Sequence, residues 1–169
     1  LSPHQAPTRR RPASIPGRVG LRVGLAAAFL TFALDQLSKF WLLHSVMDPP
    51  RTIAVAPFFD IVLVWNRGVS FGLFERGGPW LLLAIAAAIV TVLVVWLTRT
   101  RRRLLALALG LVIGGALGNA GDRLVHGAVM DFLDFHAGDL HWPAFNVADS
   151  AIAIGVALML LDGLFERRG

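Results

Sequence analysis

The stretch GALGNAGDRLVHGAVMDFLDFHAGDLHWPAFNVADSAI, residues 115–152, joins two apolar runs through a segment that holds five of the chain's eleven acidic residues. Carboxylates there must sit at the mouth of something hydrophobic, because the runs on either side are long enough to be membrane helices. A bilayer core of about 30 Å needs roughly 20 helical residues. Four segments meet that requirement, at about 20–44, 79–97, 104–122 and 146–164. The fold class that follows is an all-α membrane protein with four transmembrane helices. Ile53 to Trp65, rich in β-branched and aromatic residues and interrupted by Pro57, adds a small extended or β segment in the first outward-facing loop.

The bulk composition agrees. At 56% hydrophobic, 16% charged and a mean hydropathy of +0.65, the 169 residues are too apolar for a soluble domain of this size. The second span, PWLLLAIAAAIVTVLVVWL, has no ionisable group and a Trp near each end, as the two interfacial belts require. Residues 1–18, with four of the nine prolines and no apolar periodicity, are expected to be a disordered cytoplasmic tail, leaving 19–169 as one membrane domain. Leu25 to Leu34 runs on into DQLSKFWLL without a small-x-small cleavage site, so the first helix is expected to be retained.

Arginines set the orientation. Arg9, Arg10, Arg11 and Arg18 precede the first span, Arg99, Arg101, Arg102 and Arg103 follow the second, and Arg167 and Arg168 close the chain. The positive-inside rule makes all three groups, and both termini, cytoplasmic. The net charge of +5 then reports topology and anionic lipid headgroups, with no nucleic-acid signal in it. The absence of cysteine excludes disulfides and thiol catalysis.

Several polar residues fall where a membrane helix tolerates them poorly. Asp35 and Lys39 lie four apart on one face of the first span, either as a structural ion pair with Lys39 snorkelling outward or as part of a site. Asn66 and Gly68 open NRGVSFGLF, which by itself reads as a surface turn. Gly110, Gly114 and Gly118 recur every fourth residue and allow close helix packing. Beyond them Asn119 and Asp122 share a face, with Arg123 adjacent. Asp131 lies between Met130 and Phe132, neighbours that disfavour its charged form and raise its pKa. Asn146 is a candidate N-cap of the last span, which puts Asp149 in the first turn, where the macrodipole favours negative charge. A capping arrangement alone would also explain Asp149. His126, His136 and His141 lack metal-ligand spacing, so no metal and no cofactor is expected.

Taken together, DQLSK (35–39), NRGVSFG (66–72), GNAGDR (118–123), VMDF (129–132) and FNVADS (145–150), in this order among four spans, resemble lipoprotein signal peptidase, or signal peptidase II. The resemblance covers about residues 20–165. It implies an aspartic endopeptidase of the bacterial inner membrane that removes the signal peptide of a prolipoprotein just before its diacylglyceryl-modified cysteine. By motif it implies Asp131 and Asp149 as the catalytic pair. Asp35, Lys39, Asn66, Gly68, Asn119, Asp122, Arg123, Asn146 and Ala148 would support them. Lipidated prolipoproteins and membrane lipids are then the partners, a monomer the expected state, and the outer membrane face the expected place of the site. Ala120 and Gly121 stand where such proteins usually carry bulky apolar residues.

Paired carboxylates suit this chemistry physically, since two that cannot both ionise share a proton and together polarise a water. A small ion or proton transporter is the alternative from another class. It fits less well because the acids cluster at one end instead of forming a relay and no inverted repeat is evident. A GxGD-type intramembrane protease would need glycine where GNAGD has Asn119.

Overall fold

The computed structural model describes residues 16–68 and 78–166. Four helices, α1 (Pro16–Trp41), α2 (Gly78–Arg99), α3 (Arg103–His126) and α4 (Val147–Glu166), match the four expected spans. The tail expected over 1–18 lies outside the described residues up to the start of α1, as do Gly72 of the NRGVSFG motif and the C-terminal Arg167 and Arg168.

Helix α3 is the centre of the bundle, packed against α1 on one side and α4 on the other. Small residues make this possible. A side chain at Gly114 would collide with the Ala28 carbonyl of α1, and one at Gly115 would collide with that of Ala148 in α4. Without a hydrophobic drive between helices in lipid, such backbone proximity supplies the packing. Helix α2 is peripheral. It is anchored near the short connection to α3 by Leu93 and Leu97, which join Leu105, Leu109 and Val112 in the apolar core.

Helix α1 continues through a π-type turn at Leu42–Val46 into the connection to α2. Strands β1 (Ile53–Ala56) and β2 (Phe59–Asn66) form a hairpin there, with Pro57 in its turn as the extended reading anticipated. The second connection also folds into strands, which the sequence did not announce: β3 (Val129–Ala137) and β4 (Leu140–His141) complete a four-stranded antiparallel sheet in the order β1-β2-β3-β4. Its first four residues are all buried, so no period-two alternation marks the strand.

Two features of this end position the site. Helix α3 runs a turn beyond its apolar stretch, through Asp122 and Arg123, before Gly127 in the left-handed region (φ 70°) ends it with its N–H on the Arg123 carbonyl at 3.1 Å. In the sheet, Ile61 pairs with Leu133 but Val64 pairs with Asp131, so two residues of β2 oppose one of β3. This bulge resets the alternation of β2 and puts Asn66 on the same face as Asp131. A regular strand with Ile61 in that register would have turned Trp65 to this face instead.

Candidate active site

The polar residues picked out in five separate segments converge at the sheet end of the bundle and divide into two hydrogen-bonded groups. The first is built around a cation. Lys39, buried near the C-terminal end of α1, places its Nζ 2.8 Å from Asp35 Oδ2 and 2.8 Å from Asp122 Oδ2, and donates to Asn119 Oδ1 at 3.3 Å. It therefore points inward and does not snorkel. Asp35 accepts a further bond from the Ala148 backbone N–H at 2.9 Å, tying α1 to the first turn of α4, where the helix dipole favours a carboxylate. Gly118 makes room for this, because a Cβ there would stand 2.6 Å from Asp35 Oδ2. Asp122 also accepts from the Met130 N–H at 3.1 Å, which joins α3 to β3. Gln36, which the sequence reading passed over, bridges the pair by donating to Asp122 at 3.0 Å and Asp35 at 3.1 Å. Its only sequence signal is its place inside DQLSK.

The second group is held by amides. Asp131, in the middle of the sheet and nearly inaccessible, accepts from Asn146 Nδ2 at 2.7 Å and Asn66 Nδ2 at 3.0 Å. Asn66 is itself oriented by Gly68, whose N–H bonds Asn66 Oδ1 at 2.9 Å while its φ of 96° excludes a side chain. Asp149 accepts from Asn119 Nδ2 at 2.7 Å and from the Asn146 backbone N–H at 3.2 Å, and Asn146 Oδ1 receives the Asp149 N–H at 2.9 Å. The last two bonds form a reciprocal capping box, so the capping reading of Asp149 holds. Capping engages only Oδ2, however, and leaves Oδ1 to the Asn119 amide.

Asn146 thus touches both acids. Burial pushes the Asp131 carboxyl above the ordinary carboxylate range; the Asn66 amide pulls it down, the negative charge of Asp149 pushes it up, and the Asn146 amide and Lys39 pull it down, with burial the largest influence. Arg123 stands on the flank. Its Nη1 reaches the Asn119 carbonyl at 3.3 Å and it feels the charges of Asp149, Asp122 and Asp131, while its buried Nε has no hydrogen-bond partner. Asp122, next to Arg123 in the sequence, pairs with Lys39, because successive helical residues point about 100° apart.

The histidines lie elsewhere. His126 rests against Trp65 with ring centroids 5.0 Å apart. His136 sits 3.5 Å from Asp60, and His141 bonds Asp134 at 2.8 Å, so Asp134 is a buried, paired residue of the sheet and not a loop acid. Among the described residues no group of three or more His, Cys, Asp or Glu is arranged to hold a metal ion.

A family model described as signal peptidase (SPase) II matches residues 27–165, a range that contains every residue of both groups. A lipoprotein signal peptidase of Methylorubrum extorquens (strain PA1) is 54% identical over 149 residues, covering 85% of this chain and 86% of that protein. One from Beijerinckia indica is 49% identical over 144 residues, covering 83% and 86%. A solved bacterial membrane enzyme, determined by the in meso method, superposes with a TM-score of 0.76 at 28% identity, covering 85% of this chain and 93% of that one.

Proposed function

The chain belongs to the signal peptidase II family, and from that premise we propose that it is an aspartic endopeptidase in which Asp131 and Asp149 activate the water that cuts a prolipoprotein. It is a multi-pass bacterial membrane protease that removes signal peptides from prolipoproteins. The observation that carries the aspartic reading is the contrast in partners: among the described residues, two carboxylates joined through Asn146 are bonded only by asparagine groups, while the neighbouring acids are bound to Lys39.

In this reading Asp131, whose buried carboxyl holds its proton above the usual range, is the acid, and Asp149, in the first turn of α4, is the base. The negative charge of Asp149 helps Asp131 keep its proton, which couples the two roles. Asp149 takes a proton from water as its oxygen adds to the carbonyl carbon before the modified cysteine. The tetrahedral intermediate then collapses, the C–N bond breaks, and Asp131 gives its proton to the departing cysteine amine. The unpartnered Nε of Arg123 supplies a donor for a substrate carbonyl or the developing oxyanion. All of these groups come from one chain, which supports a monomer as the working unit.

The arginine distribution supports cytoplasmic termini and a site at the outer face, where the diacylglyceryl chains stay in lipid while the cysteine enters the sheet. A cysteine placed at Asp139 is then labelled by an impermeant reagent from outside and one at Arg101 is not; the reverse would overturn this orientation. Purified protein incubated with a lipidated prolipoprotein and its unlipidated form tests the activity. Cleavage of the lipidated form alone is expected, and equal cleavage of both contradicts the substrate assignment.

A further inference from the structure

The core contacts that anchor α2 lie at its Arg99 end, and between α2 and α3 toward the sheet end there is a groove of about 560 Å³. Its walls include Ala84, Ala87 and Thr91 of α2 and Leu117, Ala120 and Leu124 of α3. We propose that this groove takes one acyl chain of the substrate's diacylglyceryl group. The inference rests on the prolipoprotein reading and adds where the lipid is recognised.

Three observations lead there. The lining is apolar in effect as well as in composition, because the Thr91 hydroxyl donates to the Ala87 carbonyl at 2.8 Å and presents no unsatisfied group. The size suits a single hydrocarbon chain. At about 30 Å³ per methylene, the share of a water molecule in the liquid, a sixteen-carbon chain occupies roughly 480 Å³. A signal-peptide helix about 10 Å across and 30 Å long occupies roughly 2,400 Å³ and does not fit. The position is the third. Leu117, Ala120 and Leu124 form an i, i+3, i+7 stripe on α3, and Arg123 stands one side-chain step around the helix, between that stripe and Asn119. A chain in the groove thus has its head at the level of Arg123, beside the dyad.

Charge favours the substrate's own chain over that of a bulk phospholipid. Arg123, at that end, already interacts with Asp149, Asp122 and Asp131, so a lipid phosphate would lose its hydration there without gaining a free cation. A glyceryl thioether is uncharged and meets no such penalty.

The test uses one prolipoprotein peptide with diacylglyceryl groups of sixteen or six carbons per chain, cleaved by the parent and by Ala87→Phe and Ala120→Leu, two independent ways of filling the groove. The parent is expected to prefer the long chains at least tenfold in kcat/KM, and each filled variant to bring the ratio close to one. Val92→Phe, on the opposite face of α2, should keep the parental ratio. A diazirine at the end of the long chain should crosslink to α2 between residues 84 and 91 in Asp149→Asn, which binds without turnover. No chain-length preference in the parent, an unchanged ratio in both filled variants, or crosslinks confined to α1 or α4 would overturn the proposal. A parent that cleaves unlipidated peptide as well as the long-chain form would instead overturn the function on which it rests.

Discussion

The two carboxylate pairs at the sheet end of the bundle, Asp35 with Asp122 and Asp131 with Asp149, are built from the same side chain in neighbouring space but given opposite partners. Lys39 binds the first pair at 2.8 Å on each side, and the Gln36 amide and the backbone N–H groups of Ala148 and Met130 donate to it as well. This network ties α1, α3, α4 and β3 together. The second pair receives donors from Asn66, Asn119 and Asn146, none of which brings a neutralising charge. Burial raises the Asp131 carboxyl's hold on its proton, as a group that transfers one near neutral pH requires. The difference teaches that the two pairs are told apart by the cation: Lys39 binds Asp35 and Asp122, while the proposed catalytic pair is bonded by asparagines.

The largest effect expected from breaking this division is at Asp149. Asp149→Asn keeps the shape and removes the base, so turnover should fall by about 10³-fold or more while the lipidated substrate still binds. Single-turnover cleavage and binding of the same peptide check it, and retained turnover would place the base elsewhere. Next comes Lys39→Met, which leaves two buried carboxylates without their cation and should cost about 3–5 kcal/mol of stability. Unfolding in detergent measures the loss, and a change below 1 kcal/mol would deny the pair its structural role.

Asn66→Leu should sharpen the contrast more gently. Because the Asn66 amide favours the ionised form of Asp131, its removal raises an already raised pKa further. Asp131 then keeps its proton to higher pH, so the alkaline limb of the pH–rate profile moves upward while the maximum rate falls modestly. A downward shift would contradict Asp131 as the acid. The smallest effect is expected from metal removal: EDTA should leave activity unchanged, and loss restored by zinc would sink the dyad mechanism.

The four spans were legible because each is a long apolar run, and the site was legible as motifs scattered over more than a hundred residues. What stayed hidden depends on contacts between distant segments. The i,i+4 spacing joined Lys39 to Asp35, but nothing local announced Asp122 as the second partner. Strand β3 escaped because its start is buried on both faces, leaving no alternation to read. The bulge in β2 that brings Asn66 to Asp131 is likewise a property of pairing, visible only once Ile61 and Val64 are matched with Leu133 and Asp131.

Cleavage of one lipidated prolipoprotein by folded Asp131→Asn and folded Asp122→Asn, measured side by side, tests the central claim most directly. The account predicts no detectable turnover from Asp131→Asn and reduced but measurable turnover from Asp122→Asn, accompanied by lower stability. Normal cleavage by Asp131→Asn with a dead but folded Asp122→Asn would contradict it, and would make Asp122 with Asp149 the working pair.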